Sequence, residues 1–191
     1  MNPPPDLLSL SLTLRPVSAE NERLPHLGKA AHAVLLDAVR QLDPQLSAEI
    51  HAGEDAPRPF TTSNLIGYSA RHGLNPERTY RLRLTTLTQP LSAALQTATA
   101  ENGPLAPGNT IRLDQWHFNI EPHQNEDSWA ASATYEQLSA PWLLAQQRPP
   151  NRIAMQFVSP TMFKSRELYQ PIPRPGWVFG SLLQRWNQFA P

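Results

Sequence analysis

Apolar and polar positions in the first part of the chain alternate in a way that predicts a regular order of strands and helices. Leucine occupies positions 8, 10, 12 and 14 with serine or threonine between them, which is typical of a half-buried strand. An apolar stripe with helical spacing runs from Leu27 to Leu42, and Pro44 begins a short second helix. Further strands are predicted over 60–66 and 80–85, a helix from Pro90 to Ala98, and a bulged strand over 111–120.

This succession of elements predicts the fold class. The order strand, helix, strand, strand, helix, strand is that of the ferredoxin-like, split βαβ arrangement. We therefore expect an α+β protein whose residues 1–122 form one ferredoxin-like (βαββαβ) domain.

The rest of the chain begins the same pattern again. After a polar loop at 122–127, helix is predicted over 128–146 with an interruption at Pro141, then a strand over 153–158 and a last helix from Pro175. Residues 123–191 are thus predicted to form a linker and the first half of a second ferredoxin-like domain.

Composition limits the classes of function. Apolar residues make up 40% of the 191 residues, enough for a core, and 16 basic residues balance 16 acidic ones. A net charge of zero weighs against an obvious nucleic-acid binder. The absence of cysteine excludes thiol nucleophiles, zinc–thiolate sites and disulfides. No secretory leader follows Met1, and no apolar run reaches the roughly 18 residues of a membrane helix, so we expect a soluble, cytoplasmic protein without a membrane partner.

Two histidines are the main candidates for chemistry. His32 and His51 lie at the two ends of the predicted helical region, and histidine has an ordinary pKa of about 6.5, near neutral pH. Such a pair can transfer protons without a metal ion, and Arg58 follows closely enough to place a cation beside His51. The alternative is that both histidines are surface residues without a role. No histidine or carboxylate cluster has metal-ligand spacing, so we expect neither a metal nor another cofactor.

Phosphate contacts have candidates in two places. Arg81 and Arg83 share the polar face of a predicted strand, a face that either takes RNA or is covered by another element. Ser159, Thr161 and Lys164 directly follow the predicted strand at 153–158. A plain turn explains them, and so does a loop whose hydroxyls and ammonium group meet phosphate.

Several short segments occur in a recognisable order along the chain. They are His32 with Leu42-Asp43-Pro44, Ile50-His51 with Pro59 to Leu65, Tyr80 to Leu87, Phe157 to Phe163, and Pro173 to Pro175 with Arg185-Trp186-Asn187. Together they resemble the CRISPR-associated repeat-cleaving endoribonucleases, the Cas-six family of the RAMP superfamily. The resemblance covers nearly the whole chain, but nothing similar to the family's C-terminal glycine-rich loop occurs after Trp186.

The resemblance implies an activity and roles for some residues. It implies metal-independent cleavage of the repeat in CRISPR precursor RNA, with a 2′,3′-cyclic phosphate and a 5′-hydroxyl as product ends. His51 occupies the position of the family's general acid or base, and His32 that of a second histidine in some members. Arg58 lies near a catalytic lysine of some members. Which histidine is the base stays open.

We therefore predict an endoribonuclease that processes precursor transcripts into guide RNAs. The predicted partner is CRISPR repeat RNA, with possible further partners in other effector subunits or a fused or missing C-terminal segment. The alternatives are a non-catalytic guide-RNA-binding subunit of a CRISPR effector complex and a ferredoxin-like interaction domain without an RNA role. The predicted RNA contacts are Arg58, Arg81, Arg83, Ser159, Thr161 and Lys164.

Overall fold

The computed structural model describes residues 4–18, 23–52, 57–122, 128–144, 148, 150–157, 161–165 and 168–191. The chain divides into two compact units, Met1–Thr134 and Tyr135–Pro191. The predicted division at residue 122 stays a prediction, and residues 123–127 of the predicted loop lie outside the described residues.

The first unit contains a six-stranded antiparallel sheet and three helices. Its elements are β1 (Leu7–Pro16), α1 (Gly28–Leu42), α2 (Pro44–Ala52), β2 (Phe60–Thr62), β3 (Tyr80–Thr86), α3 (Gln89–Thr99), β4 (Thr110–Leu113), β5 (Trp116–Glu121) and β6 (Ala131–Ala133). The strand order is β2-β3-β1-β5-β4, and β6 pairs with the first residues of β1, ahead of those that pair with β5. The order of β2, β3, β1 and β5 is that of a ferredoxin-like sheet, so the predicted α+β, ferredoxin-like class is confirmed.

The core lies between one face of this sheet and the helices α1 and α3. Leu12 and Leu14 of β1 point into it, opposite Leu82 and Tyr80 of β3, and all four side chains are buried. Burial alternates along β1 and β3, because successive side chains of a strand point to opposite faces. The serine, threonine and arginine side chains between the leucines therefore share the opposite, polar face.

The prediction of one bulged strand over 111–120 is wrong. The structure forms two strands, β4 and β5, whose register pairs Leu113 with Trp116 across a turn of Asp114 and Gln115. Asp114 has φ of 59°, a left-handed conformation that aspartate tolerates better than most residues. The parity shift in the sequence thus marks a tight hairpin and not a bulge.

The second unit contains α4 (Tyr135–Leu143), β7 (Phe163–Ser165), β8 (Leu168–Gln170) and α5 (Pro175–Phe189). The predicted start of α5 at Pro175 is confirmed, and Tyr135 contacts Trp186 edge-on with ring centroids 5.1 Å apart. α5 buries Val178 but leaves Leu182 and Leu183 more than half exposed.

Two predictions for this part of the chain need correction. Helix begins at Tyr135 and not at 128, because residues 131–133 pair with β1 as strand β6. Residues 152–157 have no regular secondary structure, and 158 lies outside the described residues, so no strand is found at 153–157. A strand needs a neighbour for its backbone groups, and the hairpin of this unit forms instead between β7 and β8.

A membrane span is not found in the part of the chain that the structure describes. None of its helices is both long enough and apolar enough to cross a bilayer.

A buried polar contact offers a test of the fold. The hydroxyl of Ser92, on α3, lies 2.6 Å from that of Thr86 and donates to the carbonyl oxygen of Asp6 at 3.0 Å. We expect Ser92→Ala to lower the free energy of unfolding by about 1–3 kcal/mol, because buried polar partners lose their hydrogen bonds. Urea denaturation measures the change. Thr97→Ala, at an exposed position of the same helix, should stay within about 0.5 kcal/mol of wild type, and equal effects would contradict the assignment.

Candidate functional site

His32 is held by packing in the first half of α1. Its ring lies against that of Phe60, with centroids 4.6 Å apart and ring planes inclined by 54°. Phe60 is the first residue of β2 and is only 3% exposed, so it is a rigid support. His32 itself is half-buried, which keeps part of its imidazole accessible.

His51 lies on a different helix. α1 ends at Leu42, and α2 begins directly afterwards, where the Asp43 carboxylate accepts a hydrogen bond from the backbone N–H of Leu46 at 2.9 Å. Such a contact stabilises a helix start. His51 is exposed in the last turn of α2. The two histidines therefore lie on separate helices and do not frame a single one, because the predicted second helix begins at Pro44.

Arg58 joins the end of α2 to the segment that follows it. Its guanidinium donates a hydrogen bond to the backbone carbonyl of Ile50, the residue before His51. The last carbonyls of a helix have no partner within the helix, so a cation here satisfies one of them. Arg58 thus fixes the helix end that carries His51.

One open cavity of about 750 Å³ brings these three residues together. His32, His51 and Arg58 all line it, although they come from α1, α2 and the segment before β2. Cationic side chains that the sequence did not single out line it as well, notably Lys29 and Arg112. The cavity therefore holds two imidazoles together with several cationic side chains.

The electrostatics of the cavity act on His32. Burial lowers the pKa of its imidazole below the ordinary 6.5, and the positive charge of Arg58 and then His51 lower it further. A lowered pKa favours the neutral form of the ring, which carries a lone pair that can accept a proton. His32 is thus suited to act as a general base.

Comparison with known proteins finds a likeness to one family. The family model of the CRISPR-associated endoribonuclease Cas6 matches residues 155–191. A Cas6 solved as a histidine-to-alanine mutant is 25% identical over 97% of this chain, with a TM-score of 0.63. The chain is similar to the Cas6 family in both comparisons. No curated protein matches it in sequence.

Two structures of a Thermus thermophilus Cas6 share the fold. One, a product complex, is 24% identical over 97% of this chain with a TM-score of 0.66, and the other is 23% identical over 98% with a TM-score of 0.55. The chain covers 64% of the mutant Cas6 and 65% and 63% of these two, so it spans slightly less than two thirds of the length of each.

The other predicted RNA contacts do not line this cavity or are not described. Arg81 and Arg83 are on the polar face of β3 and do not line the cavity. Thr161 belongs to the second unit. Ser159 and the side chain of Lys164 lie outside the described residues.

Lys29 and Arg112 were missed by the sequence reasoning for different reasons. Lys29 precedes His32 by three residues on α1, and residues so spaced are neighbours on a helix surface. That spacing could have revealed it. Arg112 lies eighty residues after His32 in the sequence and reaches the cavity only because β4 packs beside α1.

A metal centre is not found in this chain as far as the structure describes it. No three histidine, aspartate or glutamate side chains among the described residues gather closely enough to hold an ion.

The electrostatic link between Arg58 and His32 can be measured. We expect Arg58→Gln to raise the pKa of His32, because a nearby positive charge is removed, but to leave it below 6.5, because burial is the larger cause. NMR titration of the His32 ring protons measures the pKa. Arg58→Lys retains the charge and should keep the lowered value. An unchanged pKa in Arg58→Gln would show that the guanidinium does not act on this ring.

Proposed function

We propose that the chain is a metal-independent endoribonuclease that cleaves CRISPR repeat RNA in precursor transcripts. The observation that carries this proposal is the convergence of His32, His51 and Arg58 in one open cavity. The similarity to Cas6, one of whose structures is a product complex, supports RNA as the substrate.

Cleavage in this proposal uses a hydroxyl of the RNA itself. The 2′-oxygen attacks the adjacent phosphorus while the bond from phosphorus to the 5′-oxygen breaks, which leaves a 2′,3′-cyclic phosphate and a 5′-hydroxyl. The reaction needs a base to take the proton of the 2′-hydroxyl and an acid to give one to the departing 5′-oxygen. Two imidazoles supply both groups, so no metal is required.

The two environments suggest how the roles divide. His32 is half-buried and its lowered pKa favours the neutral imidazole, so it takes the proton of the 2′-hydroxyl. His51 is exposed in the last turn of α2 and protonates the leaving oxygen. Arg58 lies beside both and offsets the negative charge that develops on the phosphate.

A non-catalytic guide-RNA-binding subunit is the second candidate. The net charge of zero favours it, because an enzyme that finds its own RNA substrate gains from overall attraction. Cleavage of repeat RNA by the isolated chain separates the two functions, since a binding subunit retains the RNA intact.

Chelation tests the proposed mechanism. We expect cleavage of a repeat RNA to proceed at the same rate in EDTA as in magnesium, because both proton-transfer groups are protein side chains. Gel analysis of the products measures the rate, and the cyclic phosphate identifies the chemistry. Cleavage lost in EDTA and restored by magnesium would contradict the mechanism.

Substitution of His51 tests the site. We expect His51→Ala to slow single-turnover cleavage by roughly a hundredfold to ten-thousandfold, the usual contribution of a general acid or base, with RNA affinity nearly unchanged. Little stability is lost, because His51 is exposed. A 2′-deoxy substitution at the cleaved nucleotide should also stop the reaction.

The matched control is His72→Ala, which replaces an exposed loop histidine that does not line the cavity. It should cut at the wild-type rate. Folded His51→Ala protein that cuts as fast as His72→Ala would remove His51 from the mechanism.

A further inference from the structure

The cavity concentrates positive charge in a chain whose net charge is zero. Arg40 and Asp37 both line it, and they form an ion pair with each other, while Gln41 also donates to the Asp37 carboxylate at 2.9 Å. This pairing neutralises the acidic group of the described lining. Lys29, Arg58 and Arg112 remain as an excess of three cations.

Lys29 and Arg112 line the cavity in addition to the two histidines. Lys29 is exposed near the start of α1, and Arg112 is exposed on β4, at the edge of the sheet. Among the described residues, neither side chain forms an ion pair or hydrogen bond. Both cations are therefore available to a ligand.

The size of the cavity indicates a ligand larger than a single phosphate. Pockets of about 300–1,000 Å³ hold ligands of several hundred daltons, and this one measures about 750 Å³. It reaches from His51 on α2, around α1, to Arg112 on β4. A ligand that fills it carries negative charge at more than one point, as a stretch of nucleic-acid backbone does.

The polar face of the sheet provides a comparison. Arg15 there pairs with Glu121 at 2.7 Å. Arg83 donates to the Ser9 hydroxyl at 3.0 Å and stacks its guanidinium over Trp129, 5.0 Å from the ring centroid. These arginines have partners within the protein, so binding a phosphate there costs existing contacts.

We propose that Lys29 and Arg112 bind the phosphates that flank the cleaved one, so that the RNA backbone passes over α1 and not over the polar face of the sheet. The identity of the ligand as RNA rests on the proposed function. The placement of the phosphate contacts rests on the charges and their partners alone.

Binding to an uncleavable RNA tests this placement. The probe is a repeat RNA with 2′-deoxyribose at the cleaved nucleotide, and its Kd is measured by filter binding over a series of salt concentrations. We expect Lys29→Gln and Arg112→Gln each to weaken binding and to reduce the slope of log Kd against log salt by about 0.7–1, the effect of one lost phosphate contact. In the double variant the slope should fall by about twice as much as in either single variant.

The proposed contacts are to the phosphates of the RNA backbone and carry no sequence information. The variants should therefore lose the same factor of affinity for a scrambled RNA of the same length. Arg71→Gln, at an exposed arginine that does not line the cavity, is the control and should leave slope and Kd unchanged. Circular dichroism checks that every variant is folded.

The outcomes separate this inference from the proposed function. If binding depends on Lys29 and Arg112 but wild-type protein does not cleave the all-ribose RNA, the phosphate contacts stand and the nuclease proposal fails. If Arg81→Gln lowers the slope while Lys29→Gln and Arg112→Gln do not, the RNA crosses the sheet face and the placement is overturned. Absence of measurable RNA binding by the wild type would overturn it as well.

Discussion

The first unit depends on the burial of one face of β1. This strand lies inside the sheet, and its inward leucines pack beneath α1 and α3 while both of its edges are paired. Leu14 is fully buried, and so are Leu82 on β3 and Phe118 on β5. A shift of one residue in register would expose every inward leucine of β1, so the alternation fixes how the neighbouring strands align.

That alignment also determines where the histidines lie. α1 buries Leu35 and Val39 against the sheet, which sets the rotation of the helix and leaves His32 at its flank. β2 pairs with the far edge of β3, and so Phe60 comes to lie beside the ring of His32. The position of a candidate proton acceptor thus follows from packing that has no direct connection with chemistry.

The electrostatics of the cavity depend on the charges that line it and not on the net charge of the chain. The chain has as many acidic as basic residues, yet the cavity has an excess of cations and lowers the pKa of His32. His32 and Arg58 are partly buried, and such groups are screened less by salt than exposed ones, so the charge of Arg58 acts on the His32 ring. Net charge from composition therefore does not reveal the local excess of positive charge in this cavity.

The sequence by itself determined the order of the elements from β1 to α3, because the leucine alternation of β1 and the apolar stripe of α1 are local patterns that burial imposes. It also singled out His32, His51 and Arg58, which the structure brings into one cavity. Only the tertiary structure decided that residues 131–133 pair with β1 and that residues 152–157 form no strand, since strand formation depends on a partner distant in sequence. It also decided that Arg112 joins the cavity while Arg83 stacks on Trp129, because each arginine acts through neighbours that only the folded chain supplies.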